Sequence, residues 1–464
     1  MRKLVTVLSA GRYSIPQIIL KIKKDTYIED LLRTSGILYA GGVVALVLVV
    51  IQQFSLARIL GPSDYGRLAV IISSGLLALL FLDFRTWELG IKLITSEIAN
   101  EAPVEVVRIF NWLISIELVS GLFGAALIFV LAEPLAVHLL NIPGFEWMIR
   151  FYASSLPFRV VADGVATTVP RIYNDFKWVA YKTVLNNFLR LILPLALVLV
   201  GYGLSGAVVG IVISEIVNFI VVVVIAWRIL KREMPGVRLW DRTRPRLRMP
   251  LYRMISDYWV VSTLTGLHYQ AFIPFMGTLT STAQVGLFRI GLDVAQLIEK
   301  LVAPFTLGVT PQIMRVHAQE EWGTFTRYIK RIAVLFFIAI APLTAAILVL
   351  GPFIFPRILP DERYSLLPVI ASILSVGNGI AMAILPWTRP ALLVLDHSRI
   401  QSLGMLLQTF MMFIMLWWLT PEYGAFGAAI AMAVPMALFH LFYLAFWIYS
   451  SKRQPASKSL EAPR

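Results

Sequence analysis

Long apolar stretches separated by short polar segments dominate the chain. Twelve of these stretches reach the roughly 20 residues that a helix needs to cross a bilayer core. They lie at about 35–57, 66–86, 109–131, 147–169, 181–200, 204–227, 255–278, 285–313, 329–350, 365–387, 399–419 and 424–448. The connectors between them are too short to form a separate soluble domain. The pattern therefore predicts an all-α integral membrane protein with about twelve transmembrane helices.

Composition supports lipid as the solvent for most of the chain. Of 464 residues, 58% are apolar and 15% are charged, and the mean hydropathy is +0.77. A soluble domain carries about 25% charged residues, and soluble monomers rarely expose the large apolar patches that this composition would require. The chain has no cysteine, which excludes disulfides, thiolate metal sites and cysteine nucleophiles.

Lysine and arginine are concentrated in alternate connectors, the most basic being 228–254. The opposite connectors offer only Arg58, Arg67, Arg150, Arg357 and Arg363. Cytoplasmic loops retain basic residues, so both termini are expected in the cytoplasm, the first 34 residues as a retained basic tail rather than a signal peptide. Contact with anionic lipid headgroups accounts for the net charge of +14, and no nucleic-acid partner is expected.

The two halves of the chain resemble each other at an offset of about 220 residues. Tyr202–Ala207 (YGLSGA) reappears as Tyr423–Ala428 (YGAFGA), and Gly66 falls opposite Gly286 when the preceding turns are aligned. Asp175 and Asp396 also fall together. The repeat predicts two pseudo-symmetric six-helix bundles, parallel to each other and enclosing a cleft. The predicted units are a tail (1–34), a first bundle (35–227), a basic linker (228–254), a second bundle (255–449) and a C-terminal tail (450–464).

Several charged residues fall inside the predicted spans. Each costs about 2.5–3.5 kcal/mol on insertion scales, so each needs a partner, water or a function. They include Arg159, Asp163, Glu117, Glu215, Arg190, Arg289, Asp293, Lys300 and, at the inner end of the second span, Arg85. Arg159 and Asp163, like Arg289 and Asp293, are four residues apart and share a helix face. They form either local ion pairs or part of a hydrated cleft.

The segment Ala57–Gly66 (ARILGPSDYG), between the first two spans, resembles the characteristic turn of bacterial polysaccharide flippases. These transporters handle O-antigen and exopolysaccharide precursors and belong to the multidrug/oligosaccharidyl-lipid/polysaccharide (MOP) exporter superfamily, whose six-plus-six layout is also similar. The resemblance implies a V-shaped, MATE-like pair of bundles in the inner membrane. It also implies flipping of undecaprenyl-pyrophosphate-linked oligosaccharide from the cytoplasmic to the outer leaflet by alternating access, for lipopolysaccharide or exopolysaccharide biosynthesis. The long N-terminal tail departs from the family.

With that cargo, arginines in the cleft would bind the pyrophosphate, because the planar guanidinium gives bidentate hydrogen bonds to phosphate oxygens. The candidates are Arg159 and Arg289, then Arg190 and Lys300, with Arg85 at the cytoplasmic entry, where snorkelling to the interface is the alternative. Candidate coupling carboxylates are Asp163, Glu215, Asp293 and Glu117. No cofactor or metal is expected; H⁺, Na⁺ or the membrane potential would supply the coupling. Expected partners are the lipid-linked oligosaccharide, bilayer phospholipid, and a polysaccharide polymerase or glycosyltransferases.

Two other functions compete with the flippase hypothesis. A cation-coupled multidrug antiporter of the same superfamily would need an acidic or aromatic cleft, whereas here basic residues accompany the acids. A polysaccharide polymerase or ligase would be an enzyme with acid–base residues in a sizeable outer loop. The outer loops are short, and no Gly-rich phosphate loop, metal-ligand cluster or hydrolase elbow occurs in the sequence.

Overall fold

The computed structural model describes residues 26–82, 86–139, 141–173, 175–238, 243, 245, 266, 270–319, 322–395 and 398–453. These residues form helices and short turns, with no strand among them. The N-terminal tail to residue 25, Arg85, Asp396, most of the basic linker, most of the predicted seventh span and the last eleven residues lie outside the described residues.

The first half contains eight helices within the described residues. They are α1 (Thr26–Leu82), α2 (Thr86–Ala99), α3 (Pro103–Pro134), α4 (Glu146–Ala153), α5 (Leu156–Asp163), α6 (Thr168–Ile172), α7 (Phe176–Leu197) and α8 (Gly203–Glu233). A π-helical turn follows α3 (Leu135–Leu139) and another follows α7 (Val198–Tyr202), and a 3₁₀ turn (Val165–Thr167) precedes α6.

The described part of the second half contains five helices. They are α9 (Phe272–Leu279), α10 (Thr282–Gln319), α11 (Trp322–Ile358), α12 (Leu367–Val394) and α13 (Ser398–Arg453), with a 3₁₀ turn (Glu362–Tyr364) before α12. Their lipid-compatible character is visible on the outside of the fold, where large apolar side chains such as Phe410, Trp417 and Trp418 are exposed.

Six helical stretches of the described chain are long and apolar enough to cross a membrane, and three of them are long enough for two spans each. These three cover Leu38–Leu80, Phe176–Glu233 and Leu403–Ser451, with 43, 58 and 49 residues. Each bends at a glycine with positive φ: Gly61 (75°), Gly201 and Gly203 (104° and 53°), and Gly424 (55°). Residues with a Cβ rarely adopt a positive φ, whereas glycine does so readily. Each of the three stretches therefore folds as a hairpin of two spans at its glycine bend.

The internal repeat is visible at two of these bends. Gly203 has φ 53° and ψ −137°, and Gly424 has φ 55° and ψ −131°, so the two YG motifs turn in the same way. We call the end of the fold that holds these bends the hairpin end. The end where α1 begins and α13 finishes is the terminal end.

The buried side chains form three hydrophobic cores. One contains residues of both halves near the hairpin end, including Leu56 and Phe288. A second contains only first-half residues of the terminal end, such as Phe110 and Ile229. The third contains only second-half residues of that end, such as Phe325 and Trp387. Since the halves share a core at one end and have separate cores at the other, the described bundles form a V that diverges toward the terminal end.

Gly66 and Gly286 bring the two halves into backbone contact at the hairpin end. A Cβ on Gly66 would lie 2.9 Å from the amide nitrogen of Gly286, and one on Gly286 would lie 3.0 Å from that of Gly66. The first distance is shorter than real Cβ contacts, and the second is tighter than nine in ten of them. The two glycines that aligned in the sequence repeat therefore pack against each other, and we call this contact the seal.

A loop of the second half closes over the seal. The Tyr364 hydroxyl donates a hydrogen bond of 2.5 Å to the Ala57 carbonyl at the end of the first span. Arg363, next to it, is paired with Asp361 at 2.5 Å, and its hydrogen bonds hold the pKa of Asp361 below its usual range. Ala57 is fully buried beneath this loop.

The predicted fourth span, 147–169, is interrupted rather than continuous. Its residues form α4, α5, the 3₁₀ turn and α6, and Gly164 at the last break has non-helical backbone angles (φ −89°, ψ −136°). Glu117 on α3 accepts a hydrogen bond of 2.7 Å from the Val165 amide and another from the Thr86 hydroxyl. Because a backbone N–H exposed inside a membrane needs a partner, Glu117 compensates for the broken helix.

Candidate functional site

A cavity of about 530 Å³ lies between the two arms of the V. Gly42 on α1 and Ala303 on α10, toward the terminal end, are exposed, whereas Leu56, Tyr65 and Leu68, toward the hairpin end, are buried. The cavity is thus closed beneath the seal and accessible from the terminal end. Four cationic side chains line it: Arg159, Arg190, Arg289 and Lys300. These are the four predicted phosphate-binding residues, and the fold brings all of them together.

Arg159 and Arg190 share one buried carboxylate. Glu215 on α8 is 2% exposed, lies 3.5 Å from Nη1 of Arg159 and is paired with Nη2 of Arg190. Arg159 also donates a hydrogen bond of 3.3 Å to the Tyr152 hydroxyl. The carboxylate sits behind the cavity surface, and the side chains of Arg159 and Arg190 remain 19% and 27% exposed. Glu215 holds them in place without filling the cavity.

Asp163 behaves differently from the local pairing that its spacing suggested. Its carboxylate is 57% exposed and lies 4.0 Å from Nε of Arg159, but 3.1 Å from the ammonium of Lys182. Lys182 on α7 is therefore the closer partner of Asp163. Arg159 is left with a stronger link to Glu215 than to its helix neighbour.

The second predicted pair, Arg289 and Asp293, forms as expected on α10. Nε of Arg289 donates a hydrogen bond of 3.1 Å to Oδ2 of Asp293, and Nη2 lies 3.0 Å from Oδ1. Asp293 is 2% exposed, whereas Arg289 keeps 32% of its side chain accessible. The Tyr65 hydroxyl, from the first half, lies 3.4 Å from Oδ2.

Lys300 extends the same helix face toward the terminal end. It is exposed, lines the cavity, and forms no ion pair with a described residue. The lining of the cavity thus carries four cations and one carboxylate, Asp293, and Glu215 behind it adds a second negative charge. An excess of positive charge inside a low-dielectric, partly enclosed space attracts anions strongly.

Neutral polar side chains complete the lining and were missed by reasoning from charge alone. They are Gln52, Gln53, Thr183, Asn187 and Gln296. Their spacing carried a signal: Thr183, Asn187 and Arg190 share one face of α7, and Asp293, Gln296 and Lys300 share one face of α10. Hydrogen-bonding side chains on faces that also carry cations are typical of a polar path.

Two further candidate residues, Glu117 and Arg85, are not among the described residues that line the cavity. Glu117 is buried at the break in the fourth span and does not line the cavity, so a coupling function for it stays an untested prediction. Arg85 lies outside the described residues. No cluster of metal-ligating side chains occurs within the part of the chain that the structure describes.

Comparison with known proteins identifies the family of this chain. The family described as "Polysaccharide biosynthesis protein" matches residues 55–362. Inner membrane protein YghQ of Escherichia coli (strain K12) is 24% identical over 171 residues, which make up 36% of this chain and 46% of that protein. The chain therefore matches somewhat less than half the length of this curated relative.

Solved structures of MOP-superfamily transporters share the fold. An inward-facing multidrug resistance MATE family transporter has a TM-score of 0.65 at 13% identity, covering 90% of this chain and 96% of that one. The MATE transporter VcmN of Vibrio cholerae gives 0.62 at 13%, covering 92% and 98%. A MOP transporter from Pyrococcus furiosus gives 0.61 at 13%, covering 91% and 95%.

These likenesses confirm the predicted fold class, an all-α multi-pass membrane protein of the MOP type. The solved structures that share this fold are membrane transporters. The chain belongs to the polysaccharide biosynthesis protein family.

Proposed function

We propose that this protein flips undecaprenyl-pyrophosphate-linked oligosaccharide from the cytoplasmic to the outer leaflet of the inner membrane, by alternating access between its two bundles. The observation that carries the proposal is the cationic cavity, to which Arg159 and Arg190 contribute from one half and Arg289 and Lys300 from the other. A pyrophosphate offers several oxygens to these donors, and charge-assisted hydrogen bonds of this kind are among the strongest in proteins.

The positions of the cations suit a cargo whose headgroup enters the protein and whose tail remains in lipid. Lys300 lies toward the accessible terminal end, and the arginines lie deeper. An anion that enters would meet Lys300 and then the guanidinium groups. We place the terminal end in the cytoplasm, where the basic connectors predict it.

The antiporter hypothesis has less support from the same cavity. The two deeply buried carboxylates at the cavity, Glu215 and Asp293, both form ion pairs with arginines. A cationic drug would have to displace these arginines and then remain beside them. Coupling of H⁺ or Na⁺ to Glu215, Asp293 or Asp163 remains part of the proposal, as does use of the membrane potential. Glycosyltransferases and a polymerase are the proposed partners.

Neutralising the arginines tests the proposal. Arg159→Gln and Arg289→Gln should each lower the rate of lipid-linked oligosaccharide translocation by roughly tenfold to a hundredfold, the loss expected for a hydrogen bond to a charged group. The measurement is complementation of a flippase-deficient strain together with quantification of the protein in membranes. Arg327→Gln is the control, because Arg327 is exposed near the start of α11 and bonds only locally to Gly323 and Thr324.

Normal complementation by both single variants and by the double variant would show that the cargo does not need these guanidinium groups. Efflux of cationic dyes by the wild type, lost in the same variants, would instead favour the antiporter.

A further inference from the structure

Tyr65 makes a contact between the two halves that also reaches the anion site. It follows the bend of α1 at Gly61, is 6% exposed and lines the cavity. Its hydroxyl donates to Oδ2 of Asp293 on α10 over 3.4 Å. This is a long hydrogen bond, so a small separation of the halves would break it.

Asp293 in turn fixes the guanidinium of Arg289. Oδ2 accepts from both Tyr65 and Nε of Arg289, whereas Oδ1, although 3.0 Å from Nη2, accepts no hydrogen bond from a described residue. The orientation of the carboxylate therefore depends on Tyr65. Since the carboxylate orients the guanidinium, Tyr65 acts on the anion site through Asp293.

The same stretches of α1 and α10 carry the seal. Gly66 is the neighbour of Tyr65, and Gly286 precedes Asp293 by seven residues, which places it on the same face of α10 two turns away. Any movement that separates Gly66 from Gly286 must also displace Tyr65 from Asp293. The seal and the orientation of Arg289 are thus mechanically connected.

We propose that Tyr65 is a positioning residue that makes the affinity of Arg289 for a phosphate group depend on the closed seal. The inference rests on the proposed function and extends it. With the seal closed, Arg289 is oriented and the headgroup binds tightly. When the seal opens, Asp293 loses Tyr65, Arg289 loses its fixed orientation, and the headgroup is released. A ligand can shift a conformational equilibrium only if it binds the two states differently, and Tyr65 supplies that difference.

Arg159 provides an internal comparison. The tyrosine beside it, Tyr152, accepts a hydrogen bond from Arg159. Tyr152, Arg159 and Glu215 all belong to the first half, so these contacts do not cross between the halves. The affinity contributed by Arg159 should therefore be the same in both conformations. Only the Arg289 side of the site changes with the seal.

A cysteine beneath the Tyr364 loop, which covers the seal, can report this link, because the chain has no cysteine of its own. In the full-length protein carrying Ala57→Cys, a fully buried position, maleimide labelling measures opening of the seal. Inorganic pyrophosphate is the probe. It should slow labelling in the otherwise wild-type chain, because it favours the closed state. Adding Tyr65→Phe should abolish this protection and weaken pyrophosphate binding by roughly threefold to tenfold, the range for losing one hydrogen bond.

Tyr443→Phe is the matched control. Tyr443 is also buried and its hydroxyl donates to the Gln401 carbonyl within the second half, away from the cavity. This variant should keep both the affinity and the protection of the parent. If Tyr65→Phe keeps them too, the link between Tyr65 and the site does not exist.

A double-mutant cycle separates positioning from general destabilisation. In an Arg289→Gln background, Tyr65→Phe should not change pyrophosphate affinity further, whereas an unchanged effect would contradict action through Arg289. If Tyr65→Phe cannot be purified, Asp293→Asn tests the same link from the acceptor side and should abolish the protection. Failure of pyrophosphate to bind the wild type at all would overturn the proposed function as well, and so is distinguishable from failure of the Tyr65 inference alone.

Discussion

Glu215 lowers the net positive charge that the cavity presents to an anion. It lies behind two arginines and is 2% exposed. A buried carboxylate without partners would be very costly, and so would two buried guanidinium groups without a counter-ion. Glu215 therefore stabilises the unloaded protein, yet it also competes with any phosphate for the same donors.

Glu215→Gln should separate these two effects. We expect pyrophosphate to bind roughly tenfold more tightly to this variant, because the Glu215 carboxylate no longer competes with phosphate for the two guanidinium groups. The unloaded protein should melt at a lower temperature, since two guanidinium groups lose their counter-ion, and pyrophosphate should raise the melting temperature more than in the wild type. Thermal melts with and without pyrophosphate measure both changes.

Glu422→Gln is the control for this substitution, because Glu422 is exposed at the hairpin end and does not line the cavity. It should leave both melts unchanged. Weaker pyrophosphate binding by Glu215→Gln would mean that the carboxylate contributes more by ordering the arginines than it costs by competing with the ligand.

At the scale of elements, the seal depends on two helices that touch without side chains between them. A Cβ on Gly66 would overlap the carbonyl of Thr282, and one on Gly286 would overlap the carbonyl of Pro62. Both obstacles are backbone atoms, which cannot rotate away as a side chain can. One methyl group is therefore enough to keep the first and second halves apart at this point.

Gly66→Ala or Gly286→Ala should open the seal. In the Ala57→Cys chain, either substitution should increase maleimide labelling by roughly an order of magnitude, which corresponds to a shift of about 1.4 kcal/mol in the closing equilibrium. Gly36→Ala is the control, because no atom lies within 4 Å of the Cβ it would add. Labelling that remains as slow as in the parent would show that the halves accommodate the methyl group and that the glycines do not determine closure.

The sequence predicted most helices but not their interruptions. Apolar length is enough to place a span, because a bilayer requires about 20 residues. It does not reveal that Glu117 accepts from the Val165 amide and so permits a break in the fourth span, since that bond joins residues on two different helices. The YG repeat lies at two of the glycine bends, but the sequence was used only to infer a repeat and did not predict the bends.

The charged site could be anticipated only in part for a similar reason. Arg159, Arg190, Arg289 and Lys300 were identifiable because a cation at membrane depth needs an explanation. Their partners were harder to assign: the local rule succeeded for Arg289 and Asp293 but missed Lys182 as the closer partner of Asp163. Tyr65 lies within the Ala57–Gly66 motif, but it is uncharged and its partner is more than 200 positions away, so the sequence did not identify it as part of the site.

For the whole molecule, the arrangement of cores sets the direction in which the cavity opens. One core joins the halves at the hairpin end and two separate cores support the arms at the terminal end. Separation of the arms requires no break in any core, whereas opening the hairpin end divides the shared one. The described conformation should therefore be the resting state in the absence of cargo.

Cysteine accessibility can establish both this conformation and its orientation in the membrane. Ala303→Cys lines the exposed part of the cavity, and Ala57→Cys lies beneath the Tyr364 loop at the hairpin end. With a membrane-impermeant maleimide, Ala303→Cys should react in inverted vesicles but not in intact spheroplasts, and Ala57→Cys should react in neither.

Arg327→Cys and Glu422→Cys, exposed at the terminal and hairpin ends respectively, identify the two sides. Since the basic connectors predict a cytoplasmic terminal end, Arg327→Cys should follow Ala303→Cys. Reaction of Ala303→Cys on the same side as Glu422→Cys would contradict a cavity that receives its cargo from the cytoplasmic leaflet.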